Sequence, residues 1–236
     1  MEQSSKNYYD KLAHNYEEVS SKKSEYIKCI NQIIAENAPK NVKDYLDIGC
    51  GDGLRTKKII EMVHPGQTTL VDTSEEMMNL TRSNVANATY KCIDPIAMED
   101  EKKFDLITSL WNVIGHFPDF EYKTKFFEKI NMLLTRDGVF IFDVNNRFNI
   151  AQYGVMPVIR NFANDIIYGQ VSGFFKLQLS EKVNTEVYIH KPGELEKYIT
   201  NAQLKIHKKF YVNYNSGVIE KSPLQGQLVY IINKDL

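Results

Sequence analysis

The residues with the clearest chemical meaning lie between Tyr45 and Gly53, in the run Tyr-Leu-Asp-Ile-Gly-Cys-Gly-Asp-Gly. Gly49, Gly51 and Gly53 alternate here after a short apolar run, and a helical pattern begins at Leu54. Glycine allows unusual backbone torsions and a close approach to a ligand. The first turn of a helix offers free N–H groups and the positive end of the helix dipole. The spacing therefore predicts a strand, a glycine loop and a helix that together bind a nucleotide.

A carboxylate follows where a second strand should end. The apolar run over 67–72 finishes on Asp72, which lies 19 residues beyond Gly53. An acid at that place can accept hydrogen bonds from both hydroxyls of a ribose. A loop that binds a pyrophosphate needs Gly-x-Gly-x-x-Gly, whereas this chain has Asp-x-Gly-x-Gly-x-Gly from Asp47 onward. The glycine spacing thus argues against a dinucleotide.

The Asp-x-Gly-x-Gly-x-Gly pattern resembles motif I of the class I S-adenosylmethionine-dependent methyltransferases. The resemblance continues through Val-Asp-Thr-Ser-Glu-Glu-Met at 71–77, Cys-Ile-Asp at 92–94 and Phe-Asp-Leu-Ile-Thr-Ser-Leu-Trp-Asn at 104–112, and covers nearly the whole chain. It implies S-adenosyl-L-methionine as the cofactor and S-adenosyl-L-homocysteine as the product.

The resemblance also implies the role of particular residues. Asp72 would bind the ribose, Met77 would lie beside the adenine, and Asp94 would accept a hydrogen bond from the adenine amino group. The methionine part would lie across Asp47 to Gly53 and against the end of the fourth strand. The cofactor-binding residues implied in this way are Asp47, Gly49, Cys50, Gly51, Gly53, Asp72, Thr73, Met77, Ile93, Asp94, Leu110, Trp111 and Asn112.

The segment Trp-Asn-Val-Ile-Gly-His-Phe-Pro-Asp at 111–119 resembles the corresponding loop of glycine and nucleotide-sugar N-methyltransferases. Enzymes that methylate DNA amino groups or protein glutamine carry Asn/Asp-Pro-Pro-Tyr here, but this chain has Leu-Trp-Asn-Val. The sequence also lacks the acid that catechol-type metal enzymes need at this place and the cysteine that RNA cytosine enzymes need. The resemblance therefore favours metal-independent methylation of an amine or hydroxyl on a small molecule, with no metal-binding residues.

Such an acceptor must lose a proton, so a nearby base would help. His116, four residues after Asn112, is the candidate catalytic base. A histidine with only a structural role in the turn before Pro118 is the alternative. His14 and His190 are weaker candidates for the same role.

The pattern of residues 7–19 predicts a short helix that is rich in tyrosine. Its Tyr-Asp-x-Leu-Ala-x-x-Tyr pattern resembles the N-terminal lid of many small-molecule methyltransferases, in which an aromatic residue closes over the cofactor. Tyr16 or Tyr8 would be that residue, and Tyr16 is placed with His116 in the catalytic site. A packing helix with ordinary surface tyrosines explains the pattern equally well.

Apolar runs and helical patterns alternate up to Asp143 in the rhythm of a parallel, doubly wound sheet. Residues 145–182 interrupt this rhythm with aromatic residues and no clean period, and 183–190 alternates as a strand. The segment 145–190 could cover the acceptor or simply pack against the sheet. A helix over 193–202 and strands over 204–212 and 228–232 follow.

We therefore expect one α/β domain over 1–236 with a Rossmann-like, seven-stranded sheet. The sheet should be mostly parallel with an antiparallel last strand and helices on both faces. Lid helices would occupy 1–40, and the insertion after strand 5, over 145–190, would cover the acceptor.

Composition sets the remaining expectations. The 236 residues include 29 basic and 30 acidic ones, a balance that gives no sign of nucleic-acid binding. Three cysteines without metal-like spacing fit a reducing compartment. No apolar run could span a membrane, so we expect a soluble cytoplasmic monomer or homodimer whose partner is a small molecule. A non-catalytic regulator that binds S-adenosylmethionine, or an NAD-dependent oxidoreductase, are the alternatives.

Overall fold

A single large β-sheet organises the chain. The computed structural model describes residues 2–13, 21–98, 102–169, 173–180 and 183–235. The strands are β1 (Asp44–Ile48), β2 (Gln67–Asp72), β3 (Thr89–Cys92), β4 (Phe104–Ser109), β5 (Leu134–Val144), β6 (Phe174–Ser180), β7 (Val183–Tyr188), β8 (Leu204–Val212), β9 (Ile219–Glu220) and β10 (Gln227–Lys234). The α-helices are α1 (Glu2–Leu12), α2 (Ser24–Asn37), α3 (Leu54–Val63), α4 (Glu75–Asn84), α5 (Phe120–Leu133), α6 (Ile150–Tyr153), α7 (Val155–Tyr168) and α8 (Glu196–Asn201).

The order of strands in the main sheet is β3-β2-β1-β4-β5-β10-β8-β9. The first five strands are parallel to one another, and β10 runs antiparallel to both of its neighbours, β5 and β8. The strand order reverses between β1 and β4. In open α/β sheets ligands bind at such a switch point, beyond the carboxyl ends of the strands. The loops after β1, β2 and β4 meet there.

Helices cover both faces of the sheet, and β5 shows why. Phe140 and Phe142 point to one side, where they pack with Phe127 of α5. Ile141 points to the other side, into a cluster with Ile30 of α2. A strand buried on both faces reads as a continuous apolar run. Removing a ring such as that of Phe127 by substitution with alanine should destabilise the fold by about 3–5 kcal/mol.

The Rossmann-like fold is confirmed, and most predicted boundaries agree with the structure within a residue or two. The main sheet gains an eighth strand because the two-residue β9 joins its edge beside Tyr211 and Val212. The run Arg136-Asp137-Gly138 predicts a turn that leads into a strand from Val139, but the structure places these residues inside β5, which begins at Leu134. None of the helices in the described part of the chain is long and apolar enough to cross a membrane.

The insertion after β5 is more regular than its sequence suggested. Residues 145–182, predicted to be irregular, contain α6, α7 and β6, and β6 pairs with β7 as a separate two-stranded antiparallel sheet. Helix α7 buries only Val158 and Asn161 and leaves much of its apolar surface exposed. Its apolar pattern therefore does not mark a buried face, which is why periodicity alone missed it.

Candidate active site

A partly open cleft lies at the switch point between β1 and β4. Crevices at this place in open α/β sheets are where small molecules and cofactors bind. Of the residues that the sequence assigned to a site, the cleft is lined by Gly49, Gly51, Asp72, Thr73, Met77, Leu110, Trp111 and His116. Eight lining residues were not predicted as site residues: Tyr9, Ile48, Val71, Pro95, Val113, Phe117, Pro118 and Tyr122.

The glycine loop has the left-handed torsions that its composition predicted, with φ of +75° at Gly49, +59° at Gly51 and +77° at Gly53. A Cβ on Gly49 would lie 2.4 Å from Val113 Cγ2, so only glycine fits beneath that side chain. Gly53 points away from the cleft: a Cβ there would lie 3.2 Å from Thr81 Cα. Gly53 thus lets α3 and α4 pack closely, whereas Gly49 and Gly51 form the cleft wall.

Asp72 is held at the cleft by two backbone donors. The Gly51 N–H donates to Oδ2 and the Ser74 N–H donates to Oδ1, each at 2.9 Å. The carboxylate is half-buried rather than fully exposed at the strand end. Burial raises the pKa of Asp72 to about 6, against the opposing effect of these N–H donors. Asp72 is therefore a fixed, mostly ionised acceptor at pH 7.

Asp47 and Cys50 have side chains committed to the protein itself. Asp47 is buried and accepts hydrogen bonds from the hydroxyls of Thr56 at 2.5 Å and Thr108 at 2.6 Å. These bonds tie α3 and β4 to β1. The Cys50 side chain packs in a small cluster whose other members include Leu70. Rather than lining the first cleft, Asp47 and Cys50 border a second cleft beside it.

Asp94 and Ile93 lie just outside the set of residues that line the cleft. Asp94 Oδ1 accepts from the Ile96 N–H at 2.8 Å and from the Tyr122 hydroxyl at 2.5 Å. The carboxylate thereby caps the turn that begins at Pro95, and Ile93 packs against the main core. Pro95 and Tyr122, the neighbours of Asp94, form the cleft wall at this point.

Two consecutive residues after β4 have strained torsions, with φ of +62° at Trp111 and +63° at Asn112. Asp143 fixes the first, because its Oδ1 accepts from the Trp111 N–H at 2.7 Å. The Trp111 indole N–H donates to the Tyr214 hydroxyl at 2.9 Å. Asn112 is buried, and its Oδ1 accepts from the Asn145 N–H at 2.9 Å. Strain of this kind persists only where surrounding contacts hold it, commonly at functional sites.

His116 and Tyr9 form a pair in the cleft. The Tyr9 hydroxyl lies 2.9 Å from His116 Nε2, and the two rings meet edge to face at 5.2 Å. Burial lowers the pKa of His116 to about 4, so the imidazole is neutral at pH 7. Within the described residues, Nδ1 has no hydrogen-bond partner. A neutral imidazole in a buried cleft can accept a proton.

Comparison with known proteins identifies this arrangement. Residues 46–140 match the family described as "Methyltransferase domain", and the match spans the glycine loop, Asp72 and the strained turn after β4. Residues 46–140 therefore form a methyltransferase domain of the class I, S-adenosylmethionine-dependent type. The NAD-dependent oxidoreductase considered as an alternative is therefore wrong.

Relatives of this methyltransferase extend over most of the chain. An uncharacterized protein of Methanocaldococcus jannaschii is 26% identical over 87% of this chain and 70% of its own length. A ubiquinone biosynthesis O-methyltransferase of Pelagibacter ubique is 26% identical over 58% of this chain and 57% of its own length. The solved structure of DhpI with S-adenosylhomocysteine covers 99% of this chain and 96% of its own, with a TM-score of 0.69 and 16% identity, which shows a shared fold.

Tyr9 is the residue of α1 in the cleft lining that sequence analysis missed. It is the first tyrosine of the Tyr-Asp-x-Leu-Ala pattern, and it lies three and four residues before Leu12 and Ala13, both buried. That helical spacing puts Tyr9 on the inward face of α1 and was the available signal. Tyr8, which was predicted, packs edge to face against Tyr9 at 5.4 Å. Tyr16 and His14 lie outside the described residues.

A second contact holds α1 against the rest of the protein. The Ser74 hydroxyl donates to Asp10 Oδ1 at 2.5 Å, and Ser74 also caps α4 by accepting from the Met77 N–H at 3.1 Å. Helix α1 also packs against β7. Helix α1, which was predicted as part of a lid, therefore lies against the cleft that Asp72 borders.

The described part of 145–190 contributes no residue to the lining of the cleft. It lies behind the His116 turn, where a Cβ on Gly115 would be 2.6 Å from the Tyr188 carbonyl oxygen. His190 is fully buried next to Tyr188, with ring centroids 4.9 Å apart, and does not reach the cleft. No group of three or more His, Cys, Asp or Glu side chains among the described residues could hold a metal ion.

Proposed function

We propose that this methyltransferase methylates an amine or hydroxyl group of a small molecule without a metal ion, and that His116 takes up the proton of the acceptor. One observation carries the proposal: Asp72, suited to a ribose, and the His116–Tyr9 pair line the same cleft. A nucleoside anchor and a proton acceptor in one cleft are what acid–base-assisted methyl transfer requires.

The residues of the cleft fit S-adenosylmethionine. Asp72 offers a carboxylate to the ribose hydroxyls, and the apolar side chains of Val71, Met77 and Pro95 offer flat walls to an adenine ring. The cofactor, when bound, supplies a methyl group on a positively charged sulfur. Attack by a neutral nucleophile spreads this charge, so a dry cleft and accurate placement supply much of the acceleration.

His116 and Tyr9 would handle the proton together. The acceptor gives its proton to the Tyr9 oxygen as the Tyr9 hydroxyl gives its own to His116 Nε2. The transfer must be concerted, because burial raises the pKa of Tyr9 and disfavours a free tyrosinate. The low pKa of His116 keeps its imidazole neutral at neutral pH, and in the tautomer with the proton on Nδ1 its Nε2 can accept.

A small acceptor is supported by the space and the charge of the protein. Much of the cleft would be filled by the nucleoside, and 29 basic against 30 acidic residues give no electrostatic footprint for nucleic acid. The Pelagibacter relative is an O-methyltransferase of ubiquinone biosynthesis, which also acts on a small molecule. We further propose that 145–190 supports the acceptor site from behind, since Tyr188 contacts the turn that carries His116.

The test measures S-adenosylhomocysteine release by the purified protein with pools of small amines and hydroxyl compounds, and with tRNA and protein as separate substrates. We expect turnover with a small-molecule pool. Methylation of tRNA or protein alone would overturn the small-acceptor proposal.

Once an acceptor has been identified, the effect of His116 on kcat can be measured. The His116→Ala variant should lose about 10²–10⁴-fold in kcat if His116 is the base, while its affinity for S-adenosylhomocysteine stays nearly unchanged. His207→Ala, which changes an exposed histidine on β8, is the matched control and should keep full activity. A loss of tenfold or less in His116→Ala would leave His116 a positioning residue at most.

A further inference from the structure

A buried arginine with unused hydrogen-bond donors lies beside the cofactor cleft. Arg55, in the first turn of α3, has only 14% of its side chain exposed. Its Nε donates to Asn31 Oδ1 at 3.0 Å, which fixes the plane of the guanidinium. Nη1 and Nη2 are buried and find no hydrogen-bond partner among the described residues. Leaving a buried charged donor unsatisfied is costly, so such a group usually has a ligand.

Arg55 borders the second cleft, between α2 and the start of α3. Gly49, Leu110 and Trp111 line both clefts and form the wall between them. A ligand anchored at Asp72 that extends past Gly49 would therefore enter the space in front of Arg55. Of the basic residues bordering the second cleft, Lys28 and Lys58 are exposed at its rim, whereas Arg55 is largely buried.

The neighbouring acids do not satisfy Arg55. Asp143 Oδ1 lies 3.9 Å from Nη1, too far for a hydrogen bond, and already accepts from the Trp111 N–H. The other oxygen of Asp143 accepts from the Tyr26 hydroxyl at 2.7 Å. Both oxygens of Asp47 are taken by threonine hydroxyls. One cation and two acids in this region form a mixed-charge surface that suits a zwitterion.

We propose that Arg55 binds the carboxylate at the amino-acid end of the cofactor through Nη1 and Nη2, with the ammonium group on the side of Asp47 and Asp143. This assignment rests on the cofactor site proposed above. The two outer guanidinium nitrogens match the two oxygens of a carboxylate, a geometry that lysine does not reproduce. The outer nitrogens have no other hydrogen-bond partner among the described residues, so a carboxylate that reaches them on ligand binding would satisfy both.

The experiment compares two ligands that differ only in the carboxylate: S-adenosylhomocysteine and its decarboxylated analogue, which carries an aminopropyl chain. Calorimetry gives the affinity of each for the wild-type protein and for Arg55→Met, Arg55→Lys and Lys57→Met. Arg55→Met should weaken S-adenosylhomocysteine at least tenfold and change the analogue less than twofold. Arg55→Lys should recover part of the loss, and Lys57→Met, which changes an exposed lysine of the same helix outside both clefts, should match wild type.

Equal losses for both ligands in Arg55→Met would mean that Arg55 only supports the fold, and no loss for either would mean that it makes no contact. Both results overturn the proposal. If Arg55→Met does not fold, the wild-type protein alone still tests the proposal. The proposal requires that it bind S-adenosylhomocysteine at least tenfold more tightly than the analogue. A wild-type protein that binds neither ligand would overturn the proposed cofactor site itself, and with it this inference.

Discussion

Asp72 combines a fixed geometry with an unusual proton affinity. The Gly51 and Ser74 N–H groups hold its carboxylate in place, while burial raises its pKa to about 6. Because the ionised form is the better acceptor for ribose hydroxyls, affinity for the cofactor should depend on pH near that value. Calorimetry with S-adenosylhomocysteine between pH 5 and pH 8 should show affinity that falls as pH drops through about 6.

Asp72→Ala should lower this affinity at least tenfold at pH 7.5, since each lost charge-assisted hydrogen bond is worth about 1.5–3 kcal/mol. It should also abolish the fall in affinity near pH 6, because the titrating group is gone. Glu76→Ala, an exposed acid on α4, is the control and should behave as wild type. Unchanged binding in Asp72→Ala would remove Asp72 from the cofactor site.

His190 is fully buried, and among the described residues neither of its ring nitrogens has a hydrogen-bond partner. Burial holds the pKa of His190 well below its usual range, and the positive charges of Lys123 and Arg147 lower it further. As pH falls below about 6.5 the unfolded chain therefore binds a proton that the folded chain refuses. Stability is lost in that window, by up to about 1.4 kcal/mol for each unit of pKa depression.

The His190→Leu variant should lose less stability than wild type when the pH drops from 7 to 5. Denaturant unfolding at both pH values measures this difference, with the exposed His207→Leu as the control. The raised pKa of Asp72 acts in the opposite direction, since its folded form holds a proton more readily, but Asp72 is the same in every variant. An equal acid-induced loss in His190→Leu and wild type would contradict the prediction.

At the scale of elements, α1 is fastened to the cleft by few polar contacts. Tyr9 meets His116, and Asp10 accepts from the Ser74 hydroxyl. A short helix held in this way should open easily, because most helical stability comes from packing. We expect hydrogen exchange in α1 to slow when S-adenosylhomocysteine is added.

Asp10→Ala should speed exchange of the α1 amides and leave the exchange of the central strands unchanged, since only the contact with Ser74 is removed. Lys11→Ala changes an exposed neighbour on the same helix and provides the control. Equal protection of α1 with and without S-adenosylhomocysteine would make the helix a structural element and remove Tyr9 from the lid role.

At the scale of the whole molecule, α7 presents an exposed apolar surface. Met156, Ile159, Phe162, Ile166 and Ile167 are each more than half exposed. Residues 156, 159, 162 and 166 recur every three or four positions and so share one face of the helix. A contiguous exposed apolar surface of this kind marks an interaction site. Arg160 and Asp165 are the only charged residues of α7, so two copies of this surface would meet without repulsion.

We therefore expect concentration-dependent dimers in sedimentation experiments. The double variant Met156→Gln and Ile166→Gln should shift the chain toward monomer and leave its unfolding midpoint nearly unchanged, because both side chains are about three-quarters exposed. Lys57→Gln and Lys58→Gln, exposed residues on α3, serve as the control pair. A monomeric wild-type protein at high concentration would contradict the prediction.

The sequence by itself determined the fold and placed Gly49 and Asp72 at one cleft. Local chemistry specifies both: only glycine suits the positive φ of Gly49, and the apolar run of β2 ends on Asp72. The spacing of strands and helices then fixes which loops meet at the switch point. These signals are short-range, so they can be read along the chain.

The tertiary structure alone decided which side chains share a cleft. Tyr9 and His116 are 107 positions apart yet lie in hydrogen-bond contact, and no local pattern records that pairing. Asp47 and Asp94, assigned to the cofactor by their motifs, direct their oxygens to threonine, tyrosine and backbone donors. The lack of hydrogen-bond partners for Nη1 and Nη2 of Arg55 also becomes apparent only in the folded structure, because it depends on which groups surround the guanidinium. Burial and long-range contact set these roles, and sequence position does not encode them.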